Sequence, residues 1–256
     1  LTGTICDNTT FAFTQSSSTT GVTHTWSRAA VTGIANAATS GAGAISEVLD
    51  NTTVNTILVT YVDTLRINGC TNTQTIDVNV SPTPVLSSAV TANVCNNNVF
   101  DYDATSSSAV SSITWSRDFV PGIASPAATG LDTVNETHSN VTENPIVVTY
   151  NFTLTINGCT NTQPVALTVN PTARLNTTVT PAAVCDSSIF DYEPGSNTIG
   201  ATFTWTRGGV TGIGNPPSFG TGNPTERLRD TVLFPVVATY TFTTTINGCS
   251  NSENVS

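Results

Sequence analysis

Tyr150-Asn-Phe-Thr-Leu-Thr-Ile156-Asn-Gly-Cys159 is the stretch of sequence that decides the fold. Its large apolar side chains occupy every second position, which is the period of a half-buried β-strand. The Asn-Gly pair that follows is a strong signal for a tight hairpin, because both residues accept the positive φ angles that such a turn requires. The stretch therefore predicts a strand that turns back on itself just before Cys159.

The same hairpin occurs three times along the 256 residues. Each copy ends in a cysteine, and an earlier cysteine precedes it at an interval that is identical in all three copies. A Trp follows that earlier cysteine, again at a constant interval. The three sets are Cys6, Trp26 and Cys70; Cys95, Trp115 and Cys159; and Cys185, Trp205 and Cys249. Spacing this regular indicates three homologous repeats. We place them at residues 1–81, 82–170 and 171–256.

The residue pattern of each repeat predicts about seven short strands and no helix, with a Trp on an early strand. This combination is typical of an Ig-like sandwich. We therefore expect an all-β chain of three tandem Ig-like β-sandwiches in an elongated head-to-tail array. The residues expected in their cores are Trp26, Trp115, Trp205, Tyr61, Tyr150 and Tyr240.

The first repeat holds only part of its first strand, and the third holds only part of its last strand. Two explanations are open, because a sandwich with a missing strand exposes unpaired strand edges. Either the piece is cut from a longer run of repeats, or a neighbouring subunit supplies the strand. We favour the longer run.

Composition excludes several classes of partner. Only 9% of the residues are charged, all seven basic residues are Arg, and seventeen acidic residues give a net charge of −10. This balance argues against binding nucleic acid or an anionic membrane through a basic patch. No apolar run approaches the roughly 20 residues of a membrane helix. Six cysteines in such a chain favour an oxidising location, so we expect a secreted or cell-surface protein.

No catalytic or metal-binding set emerges from the sequence. The two histidines, His24 and His138, have no counterparts in the other repeats, so we interpret them as filling strand faces. The cysteines lack the Cys-x-x-Cys spacing of a zinc site. Two carboxylate pairs could hold Ca²⁺ weakly, but the first repeat has Ala12 and Thr14 there, which favours a solvated face. The pairs are Asp101/Asp103 and Asp191/Glu193. We expect no enzymatic activity, no cofactor and no metal.

One charged pair recurs in every repeat with the same offset along the chain. Because the chain has so few charges, the repetition predicts a structural, bidentate ion pair between the Trp strand and a later segment. The alternative is two independent surface positions. The pairs are Arg28 with Glu47, Arg117 with Glu136, and Arg207 with Glu226.

The order of these elements, from the first Cys through Trp, Gly-Ile, Glu and Tyr to Asn-Gly-Cys, resembles the PKD-like (Ig-like) repeats of large secreted surface proteins of Bacteroidota. The resemblance covers the whole chain, although Trp is followed by Ser-Arg or Thr-Arg rather than by the Asp-Phe-Gly-Asp-Gly of polycystic-kidney repeats proper. It implies a sandwich fold, a role in a fibre, filament or adhesin stalk, and no catalytic residues.

Two functions follow as hypotheses. The first is a structural segment of an extracellular fibre or adhesin stalk, whose partners are neighbouring copies or repeats, with surface glycans as a further candidate. The second is a carbohydrate- or partner-binding accessory module of a secreted enzyme. The resemblance also makes the Asp-Thr-aliphatic pattern relevant for O-glycosylation, which gives three candidate sites. These are Thr64, Thr133 and Thr231.

The cysteine pairing has two main alternatives. Within repeats the pairs would be 6–70, 95–159 and 185–249. If the first cysteine of each repeat lies on the second strand, however, it sits at one end of the sandwich and the Asn-Gly-Cys turn sits at the other, roughly 20–26 Å away. A disulfide needs Cα atoms within about 7 Å. We therefore favour bonds between repeats and keep free thiols as a third alternative. The inter-repeat pattern pairs Cys6 with Cys159 and Cys95 with Cys249, and leaves Cys70 and Cys185 for neighbouring repeats.

Overall fold

The computed structural model describes residues 2–256, which form twenty β-strands. No helix in this range could span a membrane. The first repeat contains β1 (Thr2–Cys6), β2 (Thr9–Phe13), β3 (Thr23–Arg28), β4 (Thr39–Ala42), β5 (Ile45–Leu49), β6 (Ile57–Ile67) and β7 (Cys70–Ser81). The second contains β8 (Thr91–Cys95), β9 (Val99–Asp103), β10 (Ser112–Arg117), β11 (Ala128–Leu131), β12 (Thr133–Thr137), β13 (Ile146–Ile156) and β14 (Cys159–Asn170). The third contains β15 (Ile189–Asp191), β16 (Thr202–Arg207), β17 (Ser218–Thr221), β18 (Thr225–Arg227), β19 (Tyr240–Ile246) and β20 (Cys249–Val255).

Each repeat is a larger sheet packed against a two-stranded ribbon. The larger sheets have the strand orders β1-β7-β6-β3-β4, β8-β14-β13-β10-β11 and β20-β19-β16-β17, and the ribbons are β2-β5, β9-β12 and β15-β18. The first strand runs parallel to the last one in the first two repeats, whereas the other pairings are antiparallel. This order confirms the prediction of three tandem Ig-like sandwiches.

The period-2 pattern buries one face of each long hairpin strand. On β13, Tyr150, Phe152 and Leu154 are fully buried. The ring of Tyr150 lies 5.4 Å from that of Phe100 on the ribbon and meets Trp115 edge-on at 5.5 Å. Aromatic contacts of this kind join the two layers into one core.

The expected core aromatics all pack in this way, with one difference between repeats. The three tyrosines are at most 1% exposed, and Trp115 and Trp205 are 8% and 7% exposed. Trp26 is only partly buried, although it packs against the first core and meets Tyr61 edge-on.

The Asn-Gly pairs form the predicted hairpin turns. Asn157 has a φ of 49° and Gly158 a φ of 83°, and the turn closes the ladder of β13 and β14. Because both central residues are left-handed, the turn matches the twist of the two strands. It places Cys159 at the tip of a rigid hairpin.

Candidate functional site: the junctions between repeats

Two disulfides join successive repeats. Cys6 at the end of β1 bonds to Cys159 at the start of β14, with a Cα–Cα distance of 5.5 Å. Cys95 at the end of β8 bonds to Cys249 at the start of β20, with a Cα–Cα distance of 5.4 Å. The structure thus brings together the two inter-repeat pairs that the sequence favours.

The parallel pairing of the first strand explains why a bond within one repeat cannot form. Cys6 lies opposite Ser81 in the ladder of β1 and β7, whereas Cys70 begins β7. The 12 residues of β7 separate the two ends of the sandwich by about 36 Å at ~3.3 Å per residue. This distance is several times the reach of a disulfide.

One expectation about these cysteines is wrong. Cys6 and Cys95 do not lie on the second strand but end the first strand of their repeats. Because β1 and β8 run parallel to the last strands, each cysteine is carried to the end of the sandwich where the second strand begins. The parallel strand, rather than a place on the second strand, therefore brings each cysteine to the junction.

The Asn of each hairpin turn docks on the repeat before it. Asn157 donates to the hydroxyl of Ser81 at 3.0 Å and to that of Thr56 at 3.1 Å. Asn247 donates to the side-chain carbonyl of Asn170 at 2.7 Å. Ser81 and Asn170 are fully buried at the ends of β7 and β14. Each turn therefore contributes both a cysteine and an amide to the junction.

Packing further restricts the linkers between repeats. Pro82, Pro84 and Pro171 are buried rather than exposed. At the second junction, Ala173 forms an apolar cluster with Ile246 and the disulfide-bonded Cys249. Prolines that are fixed in φ and also buried leave little freedom for bending.

Polar contacts reinforce the second junction on another side. Asn197 of the third repeat donates to the carboxylate of Glu143 at 2.8 Å, and the backbone N–H of Ile199 donates to Asn144 at 3.0 Å. The second and third repeats are thus held by a disulfide, an apolar cluster and several hydrogen bonds.

Cys70 and Cys185 are free and exposed. Cys70 occupies the position of Cys159 and Cys249 after an Asn-Gly turn, and Cys185 occupies the position of Cys6 and Cys95. Each disulfide joins a cysteine at the position of Cys185 to a cysteine at the position of Cys70, so the two free cysteines are equivalent to the two partners of one such bond.

The recurring Arg–Glu pair is bidentate in every repeat. In the second repeat, Arg117 Nε donates to Glu136 Oε2 at 3.0 Å and Nη2 donates to Oε1 at 2.9 Å. The guanidinium also donates to the backbone carbonyls of Asp118 and Pro126, at 3.4 and 2.6 Å. Arg28 with Glu47 and Arg207 with Glu226 form the same fork.

The tyrosine of the hairpin strand completes this cluster. Tyr150 Oη donates to Glu136 Oε2 at 2.6 Å. Burial raises the pKa of the Tyr150 hydroxyl and the hydrogen bond to Glu136 raises it further. Burial also opposes ionisation of Glu136, but hydrogen bonds from Arg117 and Tyr150 outweigh it and hold the pKa of this carboxyl below its ordinary value. The cluster thus favours the charged form of a half-buried carboxylate.

The sequence contains a signal for this role of tyrosine. Tyr61, Tyr150 and Tyr240 each follow the paired Glu at one constant offset, and each donates to that carboxylate. A residue needed only for its apolar ring could be Phe, so the recurrence of Tyr at one offset indicates a bonded hydroxyl.

The two histidines occupy structural positions. His138 is fully buried, with Nε2 2.6 Å from Tyr150 Oη and Nδ1 3.1 Å from Ser125 Oγ. His24 Nδ1 lies 2.9 Å from a carboxylate oxygen of the buried Asp63. Within residues 2–256, no group of three or more His, Cys, Asp or Glu side chains converges in the way a metal site requires.

The remaining candidate residues lie at or near the surface. Thr133 and Thr231 are exposed, whereas Thr64 is half-buried in the middle of β6. The carboxylates of Asp101, Asp103, Asp191 and Glu193 belong to exposed residues.

Comparisons with known proteins identify no family. No family model matches the sequence, and no curated protein matches it. Among solved structures, an I-band fragment of titin is 9% identical over 99% of this chain and 93% of that one, with a TM-score of 0.40. Extracellular domains 3–5 of Drosophila OTK are 10% identical over 99% and 92%, with a TM-score of 0.37. Immunoglobulin domains 1–5 of Sidekick-1 are 13% identical over 98% and 56%, with a TM-score of 0.34.

Proposed function

We propose that this chain is a structural segment of an extracellular fibre or adhesin stalk, with repeats at 1–81, 82–170 and 171–256. The observation that carries the proposal is the pair of disulfides, each of which crosses a junction between repeats. A bond within a sandwich stabilises one domain, whereas a bond across a junction resists its bending and extension.

The covalent path through the chain supports a mechanical role. Three lengths of chain connect the two disulfides in parallel, and the shortest of them runs from Cys95 to Cys159. Fully extended, this length reaches about 220 Å, and the whole oxidised chain about 260 Å. Without the disulfides, 256 residues reach about 900 Å. The disulfides therefore restrict the extension of the chain to about one third.

Single-molecule pulling from the two ends of the full chain tests this function. We expect oxidised protein to reach a maximal extension of about 260 Å, and the same protein under reducing conditions to reach about 900 Å. The double variant C70S/C185S is the matched control, because it lacks the free cysteines and keeps both disulfides. An oxidised chain that extends fully would refute the proposal.

We also propose that Cys70 and Cys185 continue the pattern between neighbouring repeats or copies. Cys185 has the place of a cysteine that receives an Asn-Gly-Cys hairpin, and Cys70 ends such a hairpin. Concentrated, oxidised protein should give a ladder of covalent copies whose cross-linked peptide contains Cys70 and Cys185. C70S should abolish the ladder, and a ladder that persists in C70S would contradict this pairing.

The location and surface chemistry follow from the same proposal. Disulfides persist in oxidising compartments, so they support a secreted or cell-surface location.

Thr133 and Thr231 are accessible to a glycosyltransferase, and Thr64 is less accessible. Peptide mass spectra of native material that show all three threonines unmodified would rule out this modification. We further propose that the repeats are PKD-like repeats of a large secreted surface protein of the kind found in Bacteroidota.

A further inference from the structure

The hairpin turns at the two junctions contain a chemically reactive pair of residues. Asn157 is followed by Gly158, and Asn247 is followed by Gly248. The side-chain amide carbon of an asparagine lies within reach of the backbone nitrogen of the next residue, and a side chain on that residue hinders the attack. Glycine has no side chain, and a Cβ atom built on Gly158 or Gly248 would meet no described atom within 4 Å. Steric hindrance therefore does not protect either asparagine from the glycine that follows it.

The fold requires the same pair of residues for a different reason. The φ angles of Asn157 and Gly158 are 49° and 83°, and those of Asn247 and Gly248 are 47° and 81°. Asparagine and glycine are the residues that accept these angles at low cost in a two-residue turn. The turn that places each cysteine at its junction therefore also introduces a reactive Asn-Gly bond there.

In the closed junction, the amide of each asparagine is bound to the preceding repeat. Asn157 Nδ2 donates to Ser81 Oγ at 3.0 Å and to Thr56 Oγ1 at 3.1 Å. Asn247 Nδ2 donates to Asn170 Oδ1 at 2.7 Å. These bonds hold each amide against another repeat, whereas the reaction needs the amide carbon to approach the glycine nitrogen of its own turn. The hydrogen bonds must therefore break before the asparagine can react.

The backbone of each turn is restrained as well. The pairs that flank the turns, Ile156 with Cys159 and Ile246 with Cys249, close the strand ladders, and all four residues are at most 7% exposed. Each disulfide also ties the cysteine after the turn to the preceding repeat. The turn can therefore reach the geometry of the reaction only by local opening, and the rate of the reaction follows the fraction of molecules that are open.

We propose that Asn157 and Asn247 are sites of spontaneous deamidation that the closed junction protects and that loss of its disulfide makes reactive. The glycine nitrogen gives its proton to water and bonds to Cγ of the asparagine, the Cγ–Nδ2 bond breaks, and ammonia leaves. Water then adds to either carbonyl carbon of the resulting cyclic imide and opens the ring to aspartate or isoaspartate. Each site thus exchanges ammonia for water, and both asparagines are exposed to the water that the reaction consumes.

Deamidation changes the junction irreversibly. Neither product has the Nδ2 hydrogens that bind the preceding repeat, because an ionised carboxylate has no hydrogen to donate. At the second junction, a carboxylate would also face the carbonyl oxygen of Asn170, which now accepts from Asn247. Isoaspartate adds a methylene group to the backbone of the turn, which displaces the cysteine that follows. A junction that stays open long enough to react therefore does not close again in its original form.

The test is a crossed pair of full-length variants in a C70S/C185S background, which prevents cross-linking through the free cysteines. C6S/C159S opens the first junction and keeps the second disulfide, whereas C95S/C249S does the reverse. Peptide mass spectrometry measures deamidation at each asparagine during incubation at mildly alkaline pH. We expect Asn157 to react at least about 10-fold faster in C6S/C159S than in the background, because the tether of the turn is lost. Asn247 should be unchanged in that variant, and C95S/C249S should give the opposite result.

Equal deamidation of the same asparagine in the open and the closed junction would overturn the proposal. A peptide of residues 154–161 gives the rate of an unrestrained Asn-Gly bond, and closed junctions that react as fast as this peptide would overturn it as well. Reoxidation tests the irreversible step: C70S/C185S protein that is reduced for a long time should regain Cys95–Cys249 only in molecules whose Asn247 is unmodified. Recovery of this disulfide in molecules with isoaspartate at position 247 would contradict that step. The inference does not depend on the fibre, because deamidation is measured without force.

Discussion

Arg117 and Glu136 form two parallel hydrogen bonds, of 3.0 and 2.9 Å, from a guanidinium that is only 2% exposed. The geometry requires a planar donor with N–H groups on two nitrogens. Because Glu136 also accepts from Tyr150, the pair joins β10, β12 and β13 across both layers of the sandwich.

Substitution of Arg117 by Lys should destabilise the second repeat by about 2–3 kcal/mol. Lysine keeps the charge but cannot reproduce the fork, and it leaves some of the oxygen atoms that accept hydrogen bonds from Arg117 without donors. Differential scanning calorimetry of the full chain should show a lower melting temperature for this repeat. R66K, at an exposed position on β6, is the control and should melt like the wild type. Equal melting of R117K and wild type would mean that the pair is energetically neutral.

The three paired glutamates predict a loss of stability in acid. Their pKa values are lowered in the folded state, because the hydrogen bonds from Arg and Tyr outweigh the effect of burial. A lowered folded pKa gives stability that is present above the unfolded pKa of about 4.3 and is lost as the pH falls through the folded value. Melting temperatures measured from pH 6 to pH 2.5 should fall below about pH 4.3. E136Q should melt lower at pH 6 but show a shallower decline, whereas the exposed E193Q should match the wild type.

His138 predicts a second pH dependence that is confined to the second repeat. Burial lowers the pKa of its imidazole, and Arg117 lowers it further, in opposition to Glu136. The neutral form is therefore favoured in the fold, and stability is lost as the pH falls below the unfolded value of about 6.5. H138L should remove this loss, because Leu49 and Leu228 occupy the same position in the other repeats. The third repeat, which contains no histidine, is the internal control in each melting curve. A wild-type second repeat that melts identically at pH 7.5 and pH 5.5 would contradict the prediction.

In each repeat a glycine packs against the Trp ring, so one added methyl group there should lower the free energy of unfolding. Gly220 pairs with Trp205 across β16 and β17, and a Cβ atom added there would lie 2.8 Å from the indole ring. G220A should therefore displace the indole and cost about 1–3 kcal/mol, the usual range for overpacking a core. Gly208 in the same repeat has no atom within 4 Å of an added Cβ, so G208A is the matched control and should leave the melting temperature unchanged. Equal stability of the two variants would show that the Trp ring is free to move.

Local sequence was sufficient to predict the strands, the turns and the Arg–Glu pairs. The alternation on β13, the Asn157-Gly158 turn and the offset between Arg117 and Glu136 depend on backbone geometry and on the burial of one strand face. These act over a few residues or recur in three copies, so they can be recognised without coordinates.

The sequence by itself also determined that the chain has three equivalent units, because one constant interval separates the same two cysteines in each copy. The order of the strands along each repeat then favoured cysteine pairs between repeats. Only the tertiary structure decided that Cys6 ends a strand parallel to β7, that Asn157 donates to Ser81 of the preceding repeat, and that Asn197 donates to Glu143. Each of these depends on which strands become neighbours. That choice is made by packing between segments far apart in the chain, and no local pattern of residues encodes it.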